Sequence, residues 1–316
     1  MNVYLIWLAW PEACFRLNDG DLSFFRSLVP SGSDVVCAWD EAGFLAELPR
    51  ATHVLTWHFR REWFSLAPRL RLVATPAAGR EFVATDAPEG VQVHFGGFHG
   101  AIISETVLGF VLAWSHGLFR RAPLWPRADW SGVCRTLGGT TAVVAGYGKV
   151  GRAIGARLGS FGARVFGLTR HGVFEGDADE PSAAADEASL LARADWLILA
   201  LPGDTGTDGF LDAARIAALP PTCVVVNVGR GNAVDEAALA DALRAGRIAG
   251  AYLDVFRHEP TVLNPALTGR PVSGDDLANA ADSELPPNLV RTPHASAYSP
   301  DYLRMFFREL KDENLV

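Results

Sequence analysis

The sequence predicts an α/β protein in which a Rossmann-type, doubly wound parallel sheet is joined to a second, flavodoxin-like α/β domain. Two observations predict this class. Short β-branched runs alternate with helical stretches along the chain, a rhythm that is typical of parallel sheets. One of these runs leads directly into Gly146, Gly148 and Gly151, which have G-x-G-x-x-G spacing and open a helical pattern.

The length and composition favour two soluble domains. The chain has 316 residues, 49% of them hydrophobic, and domains usually hold roughly 100–200 residues. Its formal net charge of -8 gives no global positive field that would attract nucleic acid or an anionic membrane. We therefore predict neither as a partner.

The cysteines and apolar stretches predict a cytoplasmic location. The four cysteines have neither CxxC nor metal-site spacing, so we predict free thiols in a reducing compartment and no metal. The apolar start of the chain lacks a basic n-region and a small-residue cleavage site, which favours a buried first strand over a signal peptide. Polar residues interrupt the apolar stretch 102–119, which is therefore a poor membrane span.

We predict that residues 1–100 and 290–316 together form one domain. One long helix is expected at 101–121, followed by a loop rich in Pro and Trp at 122–132. The strand candidates of this first domain are residues 2–8, 34–39, 52–57, 71–75 and 91–95.

We predict that residues 101–289 form the Rossmann domain, which binds the dinucleotide. Six strand candidates alternate with helical stretches there, which is the number that a doubly wound sheet needs. A polar stretch at 257–288 is expected to form a long loop. The strand candidates are "TAVVAGYG", "ARVFGLTR", "ADWLILALP", "TCVVVNVG", "IAGAYLDVF" and "NLVRTPH".

The glycine-rich turn predicts a dinucleotide site. The first glycine permits the tight turn, the second lets a pyrophosphate approach the backbone, and the third lets helix and strand pack closely. Unpaired N–H groups at the helix N-terminus would then face the anion. The predicted cofactor contacts in this turn are Gly146, Tyr147, Gly148, Lys149, Val150 and Gly151.

The end of the next strand predicts which dinucleotide binds. Thr169 and Arg170 stand where an Asp or Glu usually holds the ribose 2′-OH of NAD. An arginine instead suits a phosphate, because its planar cation offers several donors. We predict contacts from both residues and a preference for NADP(H). The alternative is that Arg170 is a surface residue and that NAD(H) binds through other groups.

Three later stretches each follow a strand, at the sheet edge where α/β proteins bind ligands. They are "VVVNVGRGNAVDEAAL", "GAYLDVFRHEP" and "VRTPHASAYSP". With the glycine turn, they make the chain resemble the D-isomer-specific 2-hydroxyacid dehydrogenases from about residue 70 onward. The resemblance implies an NAD(P)-dependent oxidoreductase.

The resemblance also implies roles for particular residues. Arg230 would bind the substrate carboxylate and polarise the 2-oxo group, His294 would be the acid/base, and Glu259 would orient the imidazole. Any one of these taken alone would be better explained structurally, with Arg230 as a helix cap or partner of Asp235 and with Glu259 and His294 as surface residues; the three together, in the family's order, favour a functional unit. The remaining predicted cofactor contacts are Leu201, Pro202, Thr207, Val228 and Asp254, of which Asp254 would contact the nicotinamide carboxamide.

The substrate side resembles the family less closely. "LVATPAAGREFV" aligns with the substrate loop, which places substrate contacts at Ala78, Gly79 and Arg80. Arg80 reaches a second acidic group of the substrate or pairs with Glu81. His99 is either a cleft residue or a structural histidine.

Together these features predict an NADP(H)-dependent reductase of small 2-oxo acids of the glyoxylate or hydroxypyruvate type, active as a cytoplasmic homodimer. The physiological acid and the direction of the reaction stay open. A different class is a nucleotide-sensing binding protein like the C-terminal-binding protein corepressors, with little turnover. A third possibility is an idle Rossmann protein.

Overall fold

The computed structural model describes residues 1–80, 82–121, 134–176, 186–259 and 285–316. Two compact units divide the chain: Met1–His99 with Tyr298–Val316, and Gly100–Ala297. The chain returns to the first unit at Tyr298 and not at residue 290. The reason is that residues 289–291 form a strand of the second unit's sheet.

The first unit is built on a five-stranded parallel sheet with the order β2-β1-β3-β4-β5, which is the flavodoxin order. Every residue of β1 and β3 is buried, as expected for inner strands of a parallel sheet. The strands are β1 (Val3–Trp7), β2 (Asp34–Cys37), β3 (His53–Thr56), β4 (Leu72–Thr75) and β5 (Gln92–Phe95), and the helices are α1 (Asp19–Leu28), α2 (Glu41–Glu47) and α9 (Tyr302–Asp312).

The second unit is built on a seven-stranded sheet with the order β12-β11-β10-β9-β6-β7-β8. All neighbouring pairs are parallel except β7 and β8. Its strands are β6 (Thr141–Ala145), β7 (Arg164–Thr169), β8 (Gly172–Glu175), β9 (Trp196–Leu199), β10 (Val224–Asn227), β11 (Gly250–Leu253) and β12 (Leu289–Arg291).

The helices of the second unit follow its strands in doubly wound fashion. From β6 the chain builds outward to β7 and β8 and then returns to β9 on the other side of β6, which creates the switch point where such folds bind ligands. The helices are α3 (His99–Ser115, which begins one residue before the unit does), α4 (Leu118–Arg121), α5 (Lys149–Ser160), α6 (Glu187–Leu191), α7 (Ala213–Ala218) and α8 (Glu236–Arg244).

One local prediction was wrong and one strand was missed. The single helix expected at 101–121 is broken, because Gly117 has φ 64° and its N–H bonds back to Trp114 to close α3. Strand β8 was not predicted, since "GVFE" is short and the turn before it lacks a typical hairpin sequence. The predicted loop at 122–132 and most of the one at 257–288 lie outside the described residues.

Neither a membrane span nor a metal cluster is found in the described parts of the chain. No helix there is long and apolar enough to cross a bilayer. The same residues contain no group of three or more His, Cys, Asp and Glu side chains that could hold a metal ion.

Trp196, on the central strand β9, is a large side chain in the core of the second unit and is 0% exposed. We expect Trp196→Ala to lower the free energy of unfolding by ~3–5 kcal/mol, because it removes a large buried side chain and leaves a cavity. Urea denaturation followed by circular dichroism measures this. Trp39→Ala is the control, since Trp39 is 63% exposed and its loss should change stability by less than about 0.5 kcal/mol. Equal effects of the two substitutions would contradict the packing described.

Candidate active site

The glycine turn lies between β6 and α5 and has the geometry of a phosphate-binding turn. Gly146 has φ 90°, and a Cβ there would lie 2.5 Å from the carbonyl oxygen of Ala200. A Cβ on Gly151 would lie 2.2 Å from the carbonyl oxygen of Gly146, so only glycine lets helix and turn pack this closely. Gly148, the N-cap of α5, is exposed and would meet nothing within 4 Å. A pyrophosphate therefore fits beside Gly148 at the helix N-terminus.

Tyr147 differs from the other residues of this turn. Its side chain is only 3% exposed, and its Oη donates to the carbonyl oxygen of Gly176 at 2.8 Å. Because the side chain is buried, the predicted contact of Tyr147 with the cofactor would come from its backbone. Lys149 is exposed and Val150 is half-buried, so both reach the surface at the start of α5.

Strand β7 delivers Arg170 to the same edge of the sheet. The N–H of Gly146 donates to the carbonyl oxygen of Leu168 at 3.0 Å, so the end of β7 lies directly beside the glycine turn. Arg170 and His171 form an exposed tip between β7 and β8. The hydroxyl of Thr169 donates to Gly172 and accepts from the His171 N–H, both at 3.1 Å. Thr169 thus shapes the turn. The side chains of Arg170 and His171 are exposed and could contact a ligand.

The loops after β9 and β10 carry the other predicted cofactor contacts. Leu201 and Pro202 follow β9, and a Cβ on Gly229 would lie 2.5 Å from the Leu201 carbonyl oxygen, so the two loops touch. Thr207 donates its hydroxyl to Pro202 at 2.6 Å, which closes the first loop. Val228, in the second loop, is 5% exposed and belongs to the core of the unit.

Arg230 follows β10 in a loop that Asn227 organises. Asn227 is 0% exposed; its Oδ1 accepts from the Gly229 N–H at 3.1 Å, and its Nδ2 donates to the Arg230 carbonyl oxygen at 3.1 Å. The half-buried Arg230 side chain donates from Nη1 to the Gly229 carbonyl oxygen at 2.9 Å. The next residue, Gly231, packs against the backbone of Phe256 after β11, where any Cβ would clash. The loops after β10 and β11 are therefore locked together.

Asp254 follows β11 and holds the loop that carries His294. Its side chain is 0% exposed, and its carboxylate accepts from the N–H groups of Ala295 at 2.8 Å and Ser296 at 3.0 Å. It also accepts from the hydroxyl of Thr292 at 2.5 Å. Asp254 thus supports the loop through these bonds, and its predicted contact with the nicotinamide carboxamide stays a prediction.

A tyrosine extends this network into the core. The Oη of Tyr252 lies 2.8 Å from the Thr292 hydroxyl. Because Thr292 gives its hydrogen to Asp254, Tyr252 is the donor to Thr292. Burial, and then the charge of Asp254, raise the pKa of Tyr252 to about 12, so it keeps its proton throughout the neutral range.

His294 and Glu259 are in direct contact. The imidazole Nδ1 lies 2.9 Å from Oε2 of Glu259, whose side chain is 5% exposed, whereas that of His294 is 35% exposed. The other oxygen of Glu259 accepts from the Phe256 N–H at 3.3 Å. A buried carboxylate thus orients a partly exposed imidazole, and the Nδ1 contact leaves Nε2 as the atom available to a substrate.

His294 also has an unusual backbone. Its φ is 53°, in the left-handed region that residues other than glycine seldom adopt. Its N–H donates to the carbonyl oxygens of Asp254 at 2.8 Å and Thr292 at 3.0 Å. Such a conformation costs ~1–3 kcal/mol and persists only where neighbouring contacts hold it. Here the bonds to Asp254 and Thr292 do so.

Comparison with known proteins identifies the family. Residues 108–296 match the family described as "D-isomer specific 2-hydroxyacid dehydrogenase, NAD binding domain". The chain belongs to the D-isomer specific 2-hydroxyacid dehydrogenase family. The match contains the glycine turn and the His294–Glu259 pair, and the fold agrees with the predicted class.

Two curated members and one solved structure illustrate the relationship. D-3-phosphoglycerate dehydrogenase of Mycobacterium leprae is 32% identical over 251 residues, 74% of this chain and 47% of the relative. Glyoxylate reductase of Thermococcus gammatolerans is 30% identical over 215 residues, 63% of this chain and 64% of the relative. The chain thus spans about half to two thirds of these relatives. A D-isomer specific 2-hydroxyacid dehydrogenase of Xanthobacter autotrophicus Py2, solved with NADPH and MES, is 25% identical with a TM-score of 0.71, covering 99% of this chain and 95% of its own.

The residues aligned with the family's substrate loop lie in the first unit, after β4. Ala78 and Arg80 are exposed, Gly79 is half-buried, and the Arg80 guanidinium lies 5.5 Å from the centre of the Phe95 ring. Glu81, the alternative partner of Arg80, lies outside the described residues. These three positions stay predictions.

His99 has the surroundings of a structural histidine. It is 5% exposed, its Nε2 lies 2.8 Å from Oη of Tyr302, and its ring stacks on Phe98 at 4.2 Å. These contacts favour the structural interpretation over a role toward the substrate.

The sequence interpretation missed Asn227 and Thr292. Asn227 is the one polar residue at the end of the buried run "VVVN", and Thr292 stands two residues before His294. A polar side chain at the end of a buried strand indicates a structural role, because a buried polar group requires hydrogen-bond partners. Which partners Asn227 and Thr292 have cannot be predicted, because these partners lie in loops.

Asp254→Asn tests whether Asp254 supports the loop or contacts the cofactor. The amide would present an NH₂ group toward backbone donors and lose at least one charge-assisted bond, each worth roughly 1.5–3 kcal/mol. We expect kcat to fall roughly 10- to 150-fold while the dissociation constant of the cofactor changes little. Steady-state kinetics and a fluorescence titration with NADPH measure the two quantities. A large rise in the cofactor's dissociation constant with normal kcat would instead support the predicted contact between Asp254 and the nicotinamide.

Proposed function

We propose that the protein reduces small 2-oxo acids to 2-hydroxy acids with a nicotinamide cofactor and prefers NADP(H). The observation that carries this proposal is the contact between buried Glu259 and partly exposed His294. It lies after β11 and β12, next to β10, which carries Arg230. A cation, an oriented imidazole and a dinucleotide turn at one sheet edge suit this reaction.

The glycine turn and the loops after β7, β9 and β10 would hold the cofactor. When bound, the reduced nicotinamide supplies the hydride. The chain's own contribution at the turn is the open backbone at Gly148 and the N-terminus of α5.

Arg230 and His294 would act on the substrate. Arg230 has the permanent charge and fork geometry that bind a carboxylate and polarise the adjacent 2-oxo group. His294, held by Glu259 through Nδ1, would donate the proton on Nε2 to the oxygen that becomes the hydroxyl. Glu259 keeps the ring in this orientation. In the reverse direction His294 would accept that proton.

Two points support a small 2-oxo acid as the substrate. Arg230 would bind a single carboxylate, which suits a small acid such as glyoxylate or hydroxypyruvate. The Thermococcus gammatolerans relative is named glyoxylate reductase. Arg80 would meet a second acidic group where a substrate carries one. The homodimeric assembly and cytoplasmic location also stay predictions.

We expect His294→Ala to lower kcat by ~10²- to 10⁴-fold, because a general acid typically contributes that much, and to leave NADPH binding intact. Arg230→Ala should raise the KM of the oxo acid and lower kcat. NADPH oxidation with a panel of 2-oxo acids measures both, with His116→Ala, an exposed histidine of the same unit, as the control. NADPH binding without turnover of any acid by the wild type would instead indicate a nucleotide-sensing protein.

The preference for NADP(H) depends on Arg170. This exposed arginine lies at the tip beside the glycine turn, where an acid would repel a 2′-phosphate and an arginine would bind it. The Xanthobacter autotrophicus relative was solved with NADPH. One charge-assisted bond of roughly 1.5–3 kcal/mol gives about a 10- to 150-fold preference.

We expect the double change Thr169→Asp with Arg170→Ala to weaken NADPH binding by about that factor and to leave NADH binding similar or tighter. Dissociation constants for both cofactors provide the test. Arg164→Ala is the matched control, because Arg164 is an exposed arginine at the opposite end of β7. A wild type that binds NADH as tightly as NADPH would show that Arg170 is only a surface residue.

A further inference from the structure

We propose that Tyr147 is a positioning residue for cofactor preference: it ties the glycine turn to the β7–β8 hairpin and so fixes the Arg170 tip beside the adenosine ribose. This inference rests on the proposed preference for NADP(H). It assigns a role to a side chain that lies inside the dinucleotide turn and is buried away from the ligand surface.

The first observation is the hydrogen bond of the Tyr147 hydroxyl. Oη donates at 2.8 Å to the carbonyl oxygen of Gly176, the residue after β8. The N–H of Gly176 donates at 2.9 Å to the carbonyl oxygen of Val165 on β7. The glycine turn, β7 and the end of β8 therefore meet at Gly176.

The second observation is the space that two glycines leave for the ring. A Cβ on Gly167, in the middle of buried β7, would lie 2.1 Å from Cγ of Tyr147, and one on Gly155 of α5 would lie 2.6 Å from its Oη. Glycine within a strand or helix lowers stability, so its presence marks a close approach that the packing requires. Here the approaching group is Tyr147.

The third observation is a cation that joins the helix to the hairpin. The guanidinium of Arg152 on α5 lies 5.1 Å from the ring centre of Tyr147 and 5.3 Å from that of Phe174 on β8. Arginine in this position attracts both rings. Tyr147 is thus held from the helix side as well as from the strand side.

The orientation of the tip follows from these contacts. β8 is an edge strand that pairs only with β7 among the described strands. The pairs Leu168 with Val173 and Thr169 with Gly172 leave Arg170 and His171 as a two-residue turn. Strand β7 is also paired with β6, whereas β8 is held on one side only, so a contact at the far end of β8 constrains the strand that leads to the tip. Tyr147 supplies that contact.

Tyr147→Phe removes the hydroxyl and keeps the ring between its two glycines. We expect the dissociation constant of NADPH to rise roughly 3- to 10-fold, the effect of losing one neutral hydrogen bond, while that of NADH stays within about twofold. Gly167→Ala, which displaces the ring, should reduce the preference in the same direction. Tyr4→Phe is the control, since it removes another buried tyrosine's hydroxyl in the first unit and should change neither constant.

Repeating Tyr147→Phe in the Arg170→Ala background separates the two proposals. The inference predicts that the hydroxyl no longer affects cofactor preference once Arg170 is absent. If Arg170→Ala lowers the preference but Tyr147→Phe changes both cofactors equally or neither, the positioning role is overturned and the proposed cofactor stands. If the wild type shows no preference and Arg170→Ala has no effect, the cofactor proposal fails and the inference with it.

Discussion

Two backbone amides and one hydroxyl converge on the carboxylate of Asp254, a side chain with no exposed surface. A buried carboxylate is costly unless such bonds satisfy it, and here each bond also fixes a residue near His294. The loop therefore holds His294 at φ 53° with Nδ1 against Glu259. Together with the bond from the His294 N–H to the Thr292 carbonyl and the contact of Nδ1 with Glu259, these bonds hold the strained backbone and give the imidazole a defined direction.

The remaining features are arranged along one edge of the same sheet. The glycine turn follows β6, the Arg170 tip follows β7 on one side of it, and the loops with Arg230, Glu259 and His294 follow β10 to β12 on the other. An extended dinucleotide bound across this edge would place its adenosine near Arg170 and its nicotinamide near His294. Contacts such as those of Asn227 and Tyr147 keep neighbouring loops in register. Cofactor preference would then depend on the side of the sheet edge that carries Arg170, and proton transfer on the side that carries His294.

The strands and the glycine turn could be predicted from the sequence, because local residue patterns and the resemblance to the family determine them. Buried runs such as residues 224–227 gave the strands, and the glycine spacing gave the turn. The break at Gly117, strand β8 and the inward side chain of Tyr147 were not predicted. They depend on a backbone angle or on partners distant in sequence, such as the Gly176 carbonyl. Asp254 shows the same limit, because its partners across β11 and β12 appear only once the chain is folded.

The most direct measurement of the central claim is a crystal structure of the protein with NADPH and oxamate, an unreactive analogue of a 2-oxo acid. The account predicts that Nε2 of His294 lies about 3 Å from the analogue's carbonyl oxygen. It also predicts that the Asp254 carboxylate still accepts from Ala295 and Ser296. A carboxylate of Asp254 bonded to the nicotinamide with those amides released, or His294 turned away from the analogue, would contradict it.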